Sequence, residues 1–180
     1  MGHGASQLRS DARQNRDRIV EVAGTLFAER GIDVPMAAVA RHAGVGVATL
    51  YRRFPTREAL VTEVFADQFA ACEAVLDDAL ADPDPWHGFR TVVERVCAMQ
   101  AADRGFAAAA LAAFPGVFDL EREKARGVAA FAELAGRAQA AGRLRADFVP
   151  DDLLLILQAN CGVTDSGRLV AYLLDGFAAR

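Results

Sequence analysis

The chain reads as an all-α protein. Apolar residues recur at spacings of three and four, no segment alternates with period two between turn residues, and proline and glycine punctuate the periodic runs. With 180 residues and 53% hydrophobic content, it can bury a full core as one large or two small domains.

Ile19, Val22, Ala23, Leu26 and Phe27 form the stripe of an amphipathic helix from near Arg13 to Arg30, opened by Asp11 or Asn15 and ending near Gly31. A second helix, Met36 to Ala43, turns Val39 and Ala40 inward, with Pro35 suited to its first turn. Gly44 supplies the conformational freedom needed by the tight turn that follows. In Val47 to Phe54, the residues Val47, Leu50 and Phe54 share one apolar stripe, while Thr49, Tyr51, Arg52 and Arg53 fall largely outside it. Small Ala40 and Ala48 let these two short helices approach closely.

Thr56 is a candidate N-cap for a long helix reaching about Asp82, with Leu60, Val64, Phe65, Phe69, Cys72, Val75, Leu76 and Leu80 on its apolar side. Asp82-Pro83-Asp84-Pro85 stops it. Helical runs follow near Trp86 to Ala101, Asp103 to Ala113 and Val117 to Ala141, the last closed by Gly142. Leu153 to Leu157, inside the helix Asp151 to Gly162, is apolar all around, so every side must be covered. Asp165 or Ser166 then caps a final helix with Leu169, Val170, Leu173, Leu174 and Phe177 expected to be exposed along one stripe. These two terminal helices are expected to form a homodimer interface through Leu154, Leu157, Leu169, Leu173 and Phe177. A central core helix is the competing reading of Leu153 to Leu157.

Charge is partitioned. Residues 1–60 carry nine Arg against six acidic groups, a net of +3, and residues 61–180 carry eleven basic against eighteen acidic, a net of −7. The N-terminal third suits a polyanion and the rest avoids one. No apolar run approaches the roughly 20 residues that cross a bilayer. The polar start MGHGASQLRSDARQNRDR lacks the apolar segment of a signal peptide, so a cytoplasmic protein without a membrane partner is expected.

Cys72, Cys97 and Cys161 are isolated and odd in number, which suits reduced thiols in the core or a pocket. His3, His42 and His87 form no ligand cluster, so no metal or cofactor is expected. Asp151-Asp152 suits a helix N-terminus and Arg104 a solvated helix start. Without a phosphate loop, zinc motif or nucleophile elbow there is no candidate catalytic residue, and no enzyme is expected.

Two short helices with hydroxyls and guanidinium groups left outside the apolar stripe are suited to a DNA groove. The string Val39-Ala40-Arg41-His42-Ala43-Gly44-Val45, followed by Thr49-Leu50-Tyr51-Arg52-Arg53-Phe54-Pro55-Thr56-Arg57-Glu58-Ala59-Leu60, resembles the DNA-binding segment of the TetR/AcrR family of bacterial transcription regulators. The likeness implies an N-terminal arm and three-helix helix-turn-helix domain over 1–55. A long helix then leads into a helical effector-binding and dimerisation domain over 56–180. It also implies a double-stranded DNA operator as partner and a DNA-binding set of Gly46, Val47, Ala48, Thr49, Tyr51, Arg52, Arg53, Thr56 and Arg57.

Within that set, Val47 and Ala48 would face base edges, Thr49, Tyr51, Arg53 and Arg57 would hold phosphates, and Arg52 would reach either. Arg9 and Arg13 on the arm are further hydrogen-bonding readers. Pro35 and Gly46 stand where the family commonly has hydroxyl residues, and Ala37 replaces a polar residue, so direct base readout is expected to be thin. The family's terminal helices pair across a two-fold axis as a four-helix bundle.

Phe65, Phe69, Met99, Gln100, Phe114, Phe118, Phe131, Gln158 and Cys161 are expected on inward or partly inward faces. Mostly apolar walls with few polar groups suit a small-molecule effector, with plain core packing as the competing reading. Gln100 and Gln158 stand out because a buried amide needs a hydrogen-bond partner, and a ligand is one way to provide it. The expected function is a homodimeric repressor released from a palindromic operator by a small apolar or amphipathic effector. The alternatives are a helical small-molecule-binding enzyme, which lacks a catalytic constellation, and a protein-interaction module, opposed by Thr49, Tyr51, Arg53 and Arg57.

Overall fold

The period-three and period-four runs fold as helices. The structure, a computed structural model, describes residues 3–114 and 120–179. Among the described residues these helices are α1 (His3–Arg30), α2 (Met36–His42), α3 (Val47–Arg53), α4 (Arg57–Ala81), α5 (Pro85–Asp103), α6 (Phe106–Ala113), α7 (Leu120–Ala140), α8 (Asp152–Asn160) and α9 (Ser166–Phe177). No strand occurs among them, although an isolated antiparallel bridge joins Leu144 to Ala178. Two compact units result: α1 to α3, α4 as far as Gln68, and α6 in one; α4 from Phe69, α5 and α7 to α9 in the other.

In the first unit α1 begins earlier than Asp11 or Asn15, so Arg9 and Arg13 lie on a helix rather than an arm. No proline interrupts residues 3–15, and Gln7, Leu8, Arg9, Ala12 and Gln14 all favour helix. Ile19, Ala23, Leu26 and Phe27 of α1 are buried, as are Val39 and Ala40 of α2, Leu50 of α3, and Leu60, Val61 and Val64 of α4. Phe27 stacks on Phe106 of α6 at 5.7 Å. Burial of each large apolar side chain contributes roughly 1.5–3 kcal/mol, which outweighs the modest intrinsic stability of helices as short as α2 and α3.

Thr56 caps α4 as its sequence suggests, its Oγ1 accepting from the Ala59 amide at 3.1 Å. At the other end of α4, Arg137 of α7 donates to the carbonyls of Leu80 at 2.6 Å and Asp82 at 3.1 Å. These are carbonyls that the helix end leaves without intrahelical partners. Asp84 caps α5 through the amides of Trp86 and His87. Gly88 has a steric reason to be glycine, because a Cβ there would lie 2.6 Å from the Ala79 carbonyl oxygen. The sequence placed a break between Ala101 and Asp103; instead α5 continues through Asp103 and stops where Arg104 and Gly105 both take positive φ, 50° and 89°. The expected α7 start at Val117 lies outside the described residues.

The second unit is organised around rings. Phe89 packs against Trp86 at 5.6 Å, Phe131 at 5.4 Å and Phe148 at 5.3 Å, and Phe148 meets Phe177 edge-on at 5.2 Å. Gln139 holds the loop beside them, donating to the carbonyls of Arg145 and Phe148 at 3.1 and 2.9 Å. Burial pushes the Cys97 thiol up to about 11 and raises that of Cys72, which suits inert reduced thiols. Cys161 differs from the core or pocket placement expected of it, since it is exposed at the end of α8.

Candidate nucleic-acid interface

α2 and α3 are joined by a turn whose geometry follows from Gly44. At φ +65° this residue lets the Val45 amide return to the Ala40 carbonyl at 3.0 Å, and the chain leaves α2 ready to start α3. Gly46 begins α3 in extended conformation without a side-chain cap, and Pro35 does the same for α2. Both helix starts therefore forgo the hydroxyl that a Ser or Thr would offer.

α3 is anchored from within. Leu50 is buried and the following Phe54 is buried with it, which turns Val47, Ala48, Tyr51, Arg52 and Arg53 outward. Thr49 is half-buried, Gly46 and Thr56 are exposed, and Arg57 is half-buried at the start of α4. The structure thus brings the sequence-derived set onto one short helix and its two flanks. Two charged residues that the sequence reading did not single out also lie here. Arg18 of α1 places Nη2 4.0 Å from where a Gly44 Cβ would be, beside the turn. Asp33, in the loop before α2, accepts from Arg57 Nη1 at 3.0 Å. Helical phase from Ile19 could have located Arg18; nothing local in sequence pairs residues 33 and 57.

The residues expected around an effector are more scattered. Phe65 is buried in the first unit, where Phe114 is half-buried at the end of α6. In the second unit Phe69 and Met99 are half-buried, while Phe131 is fully buried inside the ring cluster. Phe118 lies outside the described residues. Gln158 and Cys161 are exposed, against the inward placement expected of them, because α8 turns Ile156 and Asn160 inward and Gln158 falls on the opposite side. The buried amide belongs to Asn160. Its Nδ2 donates to Gln100 Oε1 at 3.0 Å, so a protein partner already satisfies the Gln100 oxygen.

An open groove of about 350 Å³ in the second unit is lined by Phe148, Leu155, Ile156, Leu173 and Phe177 together with Arg145, Asp147 and Asp152. None of the expected effector residues lines it. The stripe expected to be exposed on α9 instead faces the core: Val170 and Leu174 are buried in it, Leu173 and Phe177 pack partly buried against it, as does Leu157, and Leu169 is half-buried. Outward from them Leu154 and Leu155 are 50% and 61% exposed and Tyr172 is 61% exposed. Leu153 to Leu157 is therefore not a helix covered on all sides within this single chain.

The family model described as "Bacterial regulatory proteins, tetR family" matches residues 19–64. The crystal structure of a TetR transcription regulatory protein from Mycobacterium vanbaalenii superposes with a TM-score of 0.76 at 35% identity, covering 96% of this chain and 99% of that one. The chain belongs to the TetR family. A second TetR regulator, from Streptomyces coelicolor, gives a TM-score of 0.75 at 31% identity over 91% of this chain and 98% of its own. An HTH-type transcriptional regulator of Staphylococcus aureus (strain USA300) is 43% identical over 54 residues, and the match spans 29% of this chain and 29% of that relative. As a TetR-family member the chain is a DNA-binding transcriptional regulator rather than an enzyme. Among the described residues no helix is long and apolar enough to cross a membrane.

Proposed function

We propose that this TetR-family chain acts as a homodimeric repressor, released from a palindromic operator by a small apolar or amphipathic effector. The observation that carries the reading is α3, fixed from below by Leu50 and Phe54 while Val47, Ala48, Tyr51, Arg52 and Arg53 face outward. In a major groove, Val47 and Ala48 can meet thymine methyl groups, and Arg52 can reach a guanine edge. Thr49, Tyr51, Arg53 and Arg57 serve as phosphate contacts that fix register without reading sequence.

Residues 1–55 then form the DNA-binding part and 56–180 the effector and dimer part. The exposed leucines of α8 and Tyr172 of α9 support association of two copies, which a two-fold symmetric operator also favours. Effector binding to half-buried Phe69, Met99 and Gln100 would act as a population shift. An effector preferring the conformer with misplaced recognition helices lowers operator affinity by its differential binding, and operator lowers effector affinity equally. α4, whose first turns belong to one unit and last turns to the other, is the element through which that preference would be felt.

Sequencing duplexes selected by the purified protein from a random library tests the reading. A two-fold symmetric motif with half-sites about one or more helical turns apart is expected. Arg52→Ala should relax one base position, at about 1–3 kcal/mol of lost discrimination. Enrichment of no symmetric motif would overturn the operator reading.

A further inference from the structure

The Arg57 guanidinium is already engaged by an acidic partner. Arg57 opens α4 with its side chain 36% exposed, and its Nη1 donates at 3.0 Å to Asp33 in the loop between α1 and α2. The Asp33 side chain is 95% exposed, so water and salt screen the pair and it adds little to folding. Arg52 and Arg53 on the neighbouring helix have no ion pair among the described residues.

We infer that Asp33 is an electrostatic competitor that restrains DNA affinity by holding Arg57 in a carboxylate pair which an incoming phosphate must displace or share. The inference rests on the assignment of Arg57 to phosphate in the proposed function. A phosphate close enough to bond this guanidinium also comes close to the carboxylate on the same cation, and the two anions repel. Because the carboxylate acts on a backbone contact, the restraint applies to every DNA sequence alike. Asp33 thereby widens no sequence preference; it lowers the affinity from which an effector has to release the protein.

Asp33→Asn removes the charge while keeping the size, and at an exposed loop position it leaves the fold intact. Binding of the full chain to a labelled random-sequence duplex should tighten about three- to tenfold, and the log-affinity against log-salt slope should steepen by up to about one unit. Arg57→Ala should weaken binding, and in that background Asp33→Asn should keep only the small gain of removing one surface charge from the vicinity of DNA, well below its gain in the unaltered chain. Circular dichroism verifies folding of each variant. If Arg57→Ala weakens binding but Asp33→Asn leaves affinity unchanged or lowers it, or if its gain survives undiminished without Arg57, the competitor role is wrong. If Arg57→Ala changes nothing, the phosphate assignment fails and the inference goes with it. If the unaltered chain binds no duplex, the DNA-binding reading itself fails.

Discussion

Asn160 Nδ2 donates to the backbone carbonyl of Cys97 at 3.0 Å and so ties α8 to α5 across 63 positions of sequence. Asn160 is the one buried polar side chain among the described residues, and its other bonds are equally directed. The same nitrogen reaches Gln100 Oε1, and Asn160 Oδ1 accepts from Ser166 Oγ at 2.6 Å, bringing in the start of α9. A polar latch of this kind fixes the register of three helices that apolar contacts alone would leave free to slide.

Asn160→Ala should therefore lower the free energy of unfolding by about 2–3 kcal/mol, since it removes these bonds and leaves the partly buried Gln100 Oε1 and Ser166 Oγ without their partner. Ser166→Ala should cost about 1 kcal/mol. Urea unfolding followed by the single tryptophan, Trp86, which is buried in the same unit, measures both. An unchanged midpoint for Asn160→Ala would show that water replaces the latch.

How far such features can be read from sequence depends on how local they are. The α2–turn–α3 unit was legible because Gly44, Leu50 and Phe54 act within a few residues of one another, and Thr56 announced α4 for the same reason. α8 is ambiguous because Leu153 to Leu157 is apolar on every side and gives the helix no direction, so nothing local marks Gln158 as facing outward. Phe131 looked like a pocket wall until Phe89 and Phe148, distant in sequence, closed around it. The Asp33–Arg57 pair is likewise a product of tertiary structure.

For the recognition helix, Arg53→Ala and Tyr51→Phe are expected to weaken DNA binding almost uniformly across sequences, because both residues are assigned to phosphates. Loss of Arg53 should also reduce the log-affinity against log-salt slope by about one unit. Competition among selected duplexes of different sequence reads both effects. A changed sequence preference at an unchanged slope would make these residues base readers instead.

The α4–α5 turn should impose a pH dependence on stability. His87 Nδ1 lies 2.5 Å from Asp82 Oδ2, and the hydrogen bond, followed by the charge of that carboxylate, lifts His87 above its ordinary 6.5. Asp84 adds to the lift and Arg90 opposes it. The contribution is fully present below 6.5 and is lost as pH rises through the raised folded value. Asp82, held below 3.8 first by the His87 hydrogen bond, contributes above 3.8 and loses that contribution as pH falls through its lowered value. Comparing Tm for the unaltered chain and His87→Gln should thus show a small advantage in mildly acidic buffer that closes in mildly alkaline buffer. An advantage that grows with pH would contradict the assignment.

Assembly is best tested at the residues that the single chain leaves open. Leu173 and Phe177 already pack against the core, so a charge at either would disturb the fold as well as any dimer. Leu154, Leu155 and Tyr172 are at least half exposed and separate the two effects. If α8 and α9 pair across a two-fold axis, Leu155→Glu buries an unpaired carboxylate there and should raise the dimer dissociation constant at least about a hundredfold. Urea stability of the monomer should stay nearly unchanged. Useful operator affinity depends on two recognition helices held about one or more DNA turns apart, so binding to the selected duplex should be lost together with the dimer. Sedimentation showing an intact dimer of Leu155→Glu at micromolar concentration, still bound to operator, would move the interface off α8.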